Sequence, residues 1–237
     1  MIGGATVGHF SINQFLIAKM PYDAEKDLVA PSLTYELPNV AVVAAQHVPA
    51  KTLSDFIVWA KARSNGISIG SPGPGTTPHL SGVLFAARTG LNAVHVPFRG
   101  AAQTIPAMLA GDVTFAIDNL ASYISQIEAG TMRALAVTSA QRWPTLPNVP
   151  TMAEAGVKNV DVYSWQGIAA PKGLPADIRD KFHGAVVAAL NDPQVKQQLT
   201  GLGLEIVANT PAQATAFQQQ EFARWKNVIE VRKITAD

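Results

Sequence analysis

Ile67-Ser-Ile-Gly-Ser-Pro-Gly-Pro-Gly-Thr-Thr-Pro-His79 is the stretch on which the reading of this chain turns. A short β-branched run comes first, then a turn rich in glycine and proline, then a threonine–proline helix start. That order is the strand–loop–helix step of an α/β fold. Thr77 reads as the N-cap with Pro78 at the first helical position, and Gly90 as the stop.

Further strands are predicted at 40–45, 93–96, 113–117, 133–138, 163–169 and 205–208, and residues 1–7 read as the end of another buried strand. Thr52 and Asp55 have capping-box spacing and open a helix with Leu53, Phe56, Ile57 and Ala60 on one face. Helices are also predicted over 100–110 and 119–129. This alternation implies a mostly parallel sheet with helices on its faces. Beyond the proline-rich stretch 143–150 helix predominates. One helix starts at Pro175 with Ile178, Phe182, Ala185, Val186 and Ala189 as its apolar face. A short one follows Asp192-Pro193, and the last, from about Pro211, carries Phe222, Trp225, Val228 and Ile229 in one stripe.

At 237 residues, 48% of them hydrophobic and 15% charged, the chain has material for one large domain or two lobes. A net charge of +1 and singly scattered Lys and Arg argue against a nucleic-acid partner. The longest apolar runs fall well short of a membrane span. The chain has no cysteine, which removes thiol catalysis, disulfides and cysteine-bound metals.

The 67–79 loop is the strongest candidate site. Gly73 and Gly75 let the backbone approach a ligand, the helix start offers N–H groups and a positive dipole end, and Ser71, Thr76 and Thr77 add hydroxyls. A carboxylate or a phosphate fits; the competing reading is an ordinary βα connection whose threonine caps its helix. No lysine follows the last glycine, so this is not a nucleotide-phosphate loop. Asp118 and Asn119, at a second strand-to-helix turn, can bond an amine, hydroxyl or water, or simply cap the helix. Thr6 and His9 lie at a third such turn, with a frayed terminus as the alternative. Arg99 reads either as a carboxylate partner or as a solvated side chain.

Nothing in the pattern asks for catalysis. The five histidines, 9, 47, 79, 95 and 183, lack metal-ligand spacing, and Ser164 lacks the preceding glycine of a nucleophile elbow. No carboxylate pair suggests acid–base work, and no dinucleotide fingerprint follows a strand. The reading is therefore a non-enzyme without metal or cofactor.

A series of motifs carries a resemblance: Gly75-Thr-Thr-Pro-His-Leu80, Val94-His-Val-Pro-Phe-Arg-Gly100, Phe115-Ala-Ile-Asp-Asn-Leu120, Ile127-Glu-Ala-Gly-Thr-Met-Arg-Ala-Leu-Ala-Val-Thr-Ser139, Leu146-Pro-Asn-Val-Pro-Thr-Met-Ala-Glu-Ala-Gly156 and Trp165-Gln-Gly-Ile-Ala-Ala-Pro-Lys-Gly-Leu-Pro175. In this order they resemble the Bug-type solute receptors, the substrate-binding proteins of tripartite tricarboxylate transporters. The resemblance runs over essentially the whole chain.

It implies a periplasmic, monomeric receptor of type-II-like periplasmic-binding-protein fold, with two α/β lobes and a central cleft. Such a receptor closes over a small organic carboxylate and delivers it to membrane permease subunits. Gly75, Thr76 and His79, with Ser71 ahead of them, match the ligand loop of one lobe; Asp118 matches a cleft aspartate and Thr6 a loop of the opposite lobe. Lobe boundaries are implied at 39–165 for one lobe, and 1–38 with 166–237 for the other. Family members carry, ahead of the segment matching Met1, a signal peptide, a first strand and a Pro-Gly-rich loop, so the first lobe is expected to be incomplete. The rival readings are a hydrolase or isomerase on the same scaffold, a cytosolic ligand-sensing module, and a truncated, non-binding remnant.

Overall fold

β1 (Gly3–Thr6) opens the chain in the computed structural model, which describes residues 2–232 and 234–235; Met1, part of the expected first strand, lies outside them. A π-helical turn (Gly8–Ile12) and α1 (Asn13–Leu16) follow. α2 (Ala24–Asp27) is capped by the Asp23 carboxylate, which accepts from the N–H groups of Glu25 and Lys26.

β2 (Leu28–Ala44) runs for 17 residues, of which the sequence predicts only the last few. Pro31 and Pro38 cannot donate to a ladder and so argue against a strand. Both prolines nevertheless lie within the strand; the registers of β2 with β5, β6 and β8 include neither, and β2 also pairs with β7. Next come α3 (Leu53–Lys61), β3 (Ile67–Ser71), α4 (Thr77–Thr89), β4 (Ala93–Pro97) and α5 (Ala101–Ala110). They are followed by β5 (Phe115–Asn119), α6 (Leu120–Glu128), β6 (Met132–Val137) and β7 (Tyr163–Pro171). The chain ends with α7 (Ala176–Asn191), α8 (Pro193–Gly201), β8 (Glu205–Ile206) and α9 (Pro211–Arg232). The fold is mixed α/β.

Two compact units result: residues 37–163, and residues 1–36 together with 164–237. In the first, the strand order is β6-β2-β5-β3-β4. β3 runs parallel to β4 and β5, while β2 is antiparallel to β5 and β6. The expected parallel alternation therefore holds for four strands, and β2 is the exception. It enters the sheet at the edge where the other four end, since Asn39 pairs with Asn119 and Val40 with Val137. Phe115 stacks on Phe56 at 4.5 Å and meets Phe85 at 5.1 Å on the face covered by α3 and α4. Val40, Val42, Met108, Ala116, Leu120 and Tyr123 fill the α5–α6 face.

In the second unit β1 pairs antiparallel with β7, and β2 with β8. Trp165 is buried between Phe10, at 5.5 Å, and Phe217, at 5.4 Å. Glu221 is its polar centre: Oε2 accepts from the indole N–H groups of Trp165 and Trp225, each at 3.0 Å, and Oε1 accepts from Arg224 at 3.0 Å.

Three expectations are corrected here. β8 stops at Ile206, before the predicted 208, because Ala208 takes a positive φ of 45° that ends an extended strand. β5 starts two residues late, since Thr114 is engaged with Ser68 through its N–H and its hydroxyl. The predicted apolar face of α7 is largely uncovered: Ile178, Ala185 and Ala189 are exposed, Phe182 and Val186 half-buried, and Leu190 is its buried residue. Within its unit α7 packs chiefly on α8.

Candidate functional site

Strand alternation decides which side chains can meet at the carboxyl edge of the 37–163 sheet. Ile67, Ile69 and Ser71 point to one face of β3, and Gly70 to the other. α4 lies over the first face, where a Cβ on Gly82 would stand 3.0 Å from Ile69. α5 covers the second, where a Cβ on Gly70 would stand 2.7 Å from Thr104. Gly70 pairs with Ala116, so Ile117 and Asn119 share the Ser71 face while Asp118 projects to the other.

Asp118 and Ser71 are thus separated by the sheet rather than gathered in one crevice. Asp118 is 1% exposed. Its Oδ1 accepts from the Asn119 N–H at 2.7 Å and its Oδ2 from the Tyr123 hydroxyl at 3.2 Å. Burial pushes its carboxyl up to about 6, partly offset by those two bonds, and pushes the Tyr123 phenol up as well. Asn119 holds the N-cap position of α6, but its side chain makes no cap bond there.

On the α4 face lie residues that the sequence did not single out. Asn39, fully buried, donates from Nδ2 to Ser81 Oγ of α4 at 2.9 Å, and its N–H is held by Thr138 Oγ1 at 2.9 Å. His95, level with Ile69 on β4, brings Nε2 to 2.7 Å from Ser71 Oγ. Its ring lies 4.5 Å from that of His79 at an interplanar angle of 38°. Strand register, invisible in any local motif, brings these groups together.

The loop itself is braced from within. Ser71 Oγ accepts the Gly73 N–H at 3.1 Å. Thr76 Oγ1 donates to the Gly73 carbonyl at 2.7 Å and accepts the His79 N–H at 3.3 Å. Thr76 is therefore the N-cap of α4, and Thr77 and Pro78 are its first two residues, one position away from the sequence reading. The reason is that Gly73 (φ 116°) and Gly75 (φ 76°) tighten the turn and bring the Thr76 hydroxyl over the helix start. The Thr76 hydroxyl proton is consequently committed inside the loop, Ser71 Oγ is engaged by the Gly73 N–H and by His95 Nε2, and Ser71 and Thr77 are buried.

Both histidines are neutral at pH 7. Burial, and then the neighbouring His95, lower His79 to about 4, and burial lowers His95. His79 Nδ1 is buried with no hydrogen-bond partner among the described residues. What the loop presents to an anion is therefore backbone N–H groups at a helix start, with no formal counter-charge. Arg99 is exposed, and its N–H bonds to Gln103 Oε1 at 3.1 Å. In the other unit Thr6 is exposed, with Oγ1 3.1 Å from His9 Nδ1. Among the described residues no cluster of His, Cys, Asp or Glu forms a metal site, and no helix is long and apolar enough to cross a membrane.

The family model described as tripartite tricarboxylate transporter family receptor matches residues 4–234. A curated relative from Pseudomonas sp. (strain P51), the UPF0065 protein in the tcbD-tcbE intergenic region, is 33% identical over 227 residues, covering 95% of this chain and 67% of its own length. The chain thus spans about two thirds of the length of this relative and of two others it matches. Among solved structures, R. palustris Rpa4515 with adipate has 32% identity and a TM-score of 0.91, covering 98% of this chain and 77% of the other. The periplasmic binding protein BugD has 28% identity and a TM-score of 0.92, over 98% and 78%.

Proposed function

The chain belongs to the family of tripartite tricarboxylate transporter receptors, and from that premise we propose that it is a periplasmic solute receptor that holds a small organic carboxylate at the β3–α4 loop and hands it to membrane permease subunits. The observation that carries this reading is the loop's geometry: a strand end, two glycines at positive φ and a capped helix start with no acidic residue in its first turn. Rpa4515, solved with adipate, supports a carboxylate over a phosphate.

In this reading residues 37–163 form the lobe that carries the loop, and 1–36 with 164–237 form the other. The N–H groups of Gly75, Thr76 and Thr77 hold the carboxylate, with His79 and Asn119 beside them. Ser71 and the Thr76 hydroxyl shape the loop, and Asp118 acts from the far face by fixing the Asn119 backbone. The role of Thr6 rests on the resemblance alone. No catalytic group enters the account.

Gly75→Val tests the loop. A β-branched residue at φ 76° is strained by about 1–3 kcal/mol, so the turn must rearrange. Calorimetry should show adipate affinity falling at least about tenfold while the far-ultraviolet circular dichroism stays that of the wild type. Unchanged affinity would remove the loop from the site.

A further inference from the structure

We propose that His95 is the positioning residue for the carboxylate loop: as a hydrogen-bond acceptor at Nε2 it fixes the Ser71 hydroxyl, which in turn holds the Gly73 N–H and sets the turn that leads to α4. The proposal deepens the receptor reading and rests on it for its meaning. Its chemistry can be decided without any ligand.

A serine hydroxyl has one proton and two acceptor positions. The Gly73 N–H can only donate, so it occupies one acceptor position of Ser71 Oγ. Ser71 has no exposed surface, so its proton must find a partner within the protein or carry the cost of an unmade buried bond. The acceptor within reach is His95 Nε2, at 2.7 Å. The proton therefore lies between Oγ and Nε2, donated by the serine. His95 must then be neutral with its own proton on Nδ1, which is a definite tautomer and not a free choice.

The supporting geometry is rigid. His95 sits level with Ile69 in the parallel β3–β4 ladder, and Ser71 is two residues on, so both project to the α4 face. The His79 ring packs against His95 and is itself buried, which prevents the imidazole from swinging away. The chain of contacts thus runs from a strand side chain through a buried hydroxyl to the backbone at φ 116°, followed by the second left-handed glycine and the Thr76 cap.

Long-range proton–nitrogen correlation spectra of the ¹⁵N-labelled wild type should show His95 protonated at Nδ1 and bare at Nε2. A protonated Nε2 would overturn the proposal. His95→Leu should speed hydrogen exchange at the Gly73 amide about fivefold or more, the effect of losing one buried hydrogen bond. His95→Gln, whose amide oxygen can stand where Nε2 stands, should restore the protection. Adipate affinity should fall together in His95→Leu and Ser71→Ala, and the double variant should be no worse than either single one. Unchanged Gly73 exchange in His95→Leu would also overturn the proposal. A wild type that ignores adipate but keeps the tautomer and the exchange pattern would contradict the adipate reading and leave the brace intact.

Discussion

Replacing Glu221 with leucine should lower stability by about 2–5 kcal/mol, because two buried indole N–H groups lose their acceptor at once. Trp165 and Trp225 both donate to Glu221 Oε2, and all three side chains are buried. No water can replace the lost oxygen without opening the packing around Phe10 and Phe217. Glu221→Gln keeps one oxygen able to accept from both rings, but gives up the charge and turns an amide NH2 toward Arg224 in place of Oε1. It should cost well under half as much, since the partner Arg224 is partly exposed and the pair contributes little. Urea denaturation followed by circular dichroism measures both. Equal losses for Leu and Gln would mean that the charge, lost in both, and not the shared acceptor, holds β7 to α9.

The second large effect is a concealed pH dependence in the 37–163 unit. Asp118 titrates at about 6 in the fold against an ordinary 3.8. The folded form therefore binds more protons than the unfolded one across that window, and stability falls as pH rises through it. His79 titrates at about 4 against 6.5. There the folded form binds fewer protons, and stability rises with pH. Each span converts to at most about 3 kcal/mol, and the two slopes oppose each other over nearly the same window. Asp118→Asn should remove the falling contribution, so that its stability relative to wild type climbs between pH 4 and 6. His79→Gln should remove the rising one and show the reverse. Denaturation midpoints at pH 4, 5, 6 and 7 decide it. Two variants with parallel profiles would show that neither group is held in its neutral form by burial.

Local signals made much of this fold legible. The β3–α4 step, the Thr52 and Gly90 helix signals and the alternation from β3 to β6 each depend on neighbours a few residues apart, where glycine, proline and capping chemistry act. The first half of β2 was hidden, because Pro31 and Pro38 break a strand pattern in the sequence. The α7 stripe misled for the opposite reason: periodicity reports an apolar face but not what covers it.

The site was legible as a loop and illegible as an arrangement. Gly73, Gly75 and Thr76 could be read from the chain, since turns and caps are local. That Thr76 caps in place of Thr77 depends on how tightly the two glycines fold the turn. That Asp118 faces away from Ser71, while Asn119, His95 and Asn39 lie on its side, depends on strand register over as many as 99 residues of separation, as between Asn39 and Thr138. The family motifs supplied the function class ahead of that geometry; the geometry adds the bonds of Ser71 Oγ to the Gly73 N–H and His95.

Titration calorimetry of the wild-type chain with adipate, malate and citrate, each compared with its uncharged amide, decides whether the β3–α4 loop holds a carboxylate. At least one acid should bind and its amide should not, because helix-start N–H groups favour an anion. Equal binding of acid and amide, or no binding of any acid, would contradict a carboxylate site there.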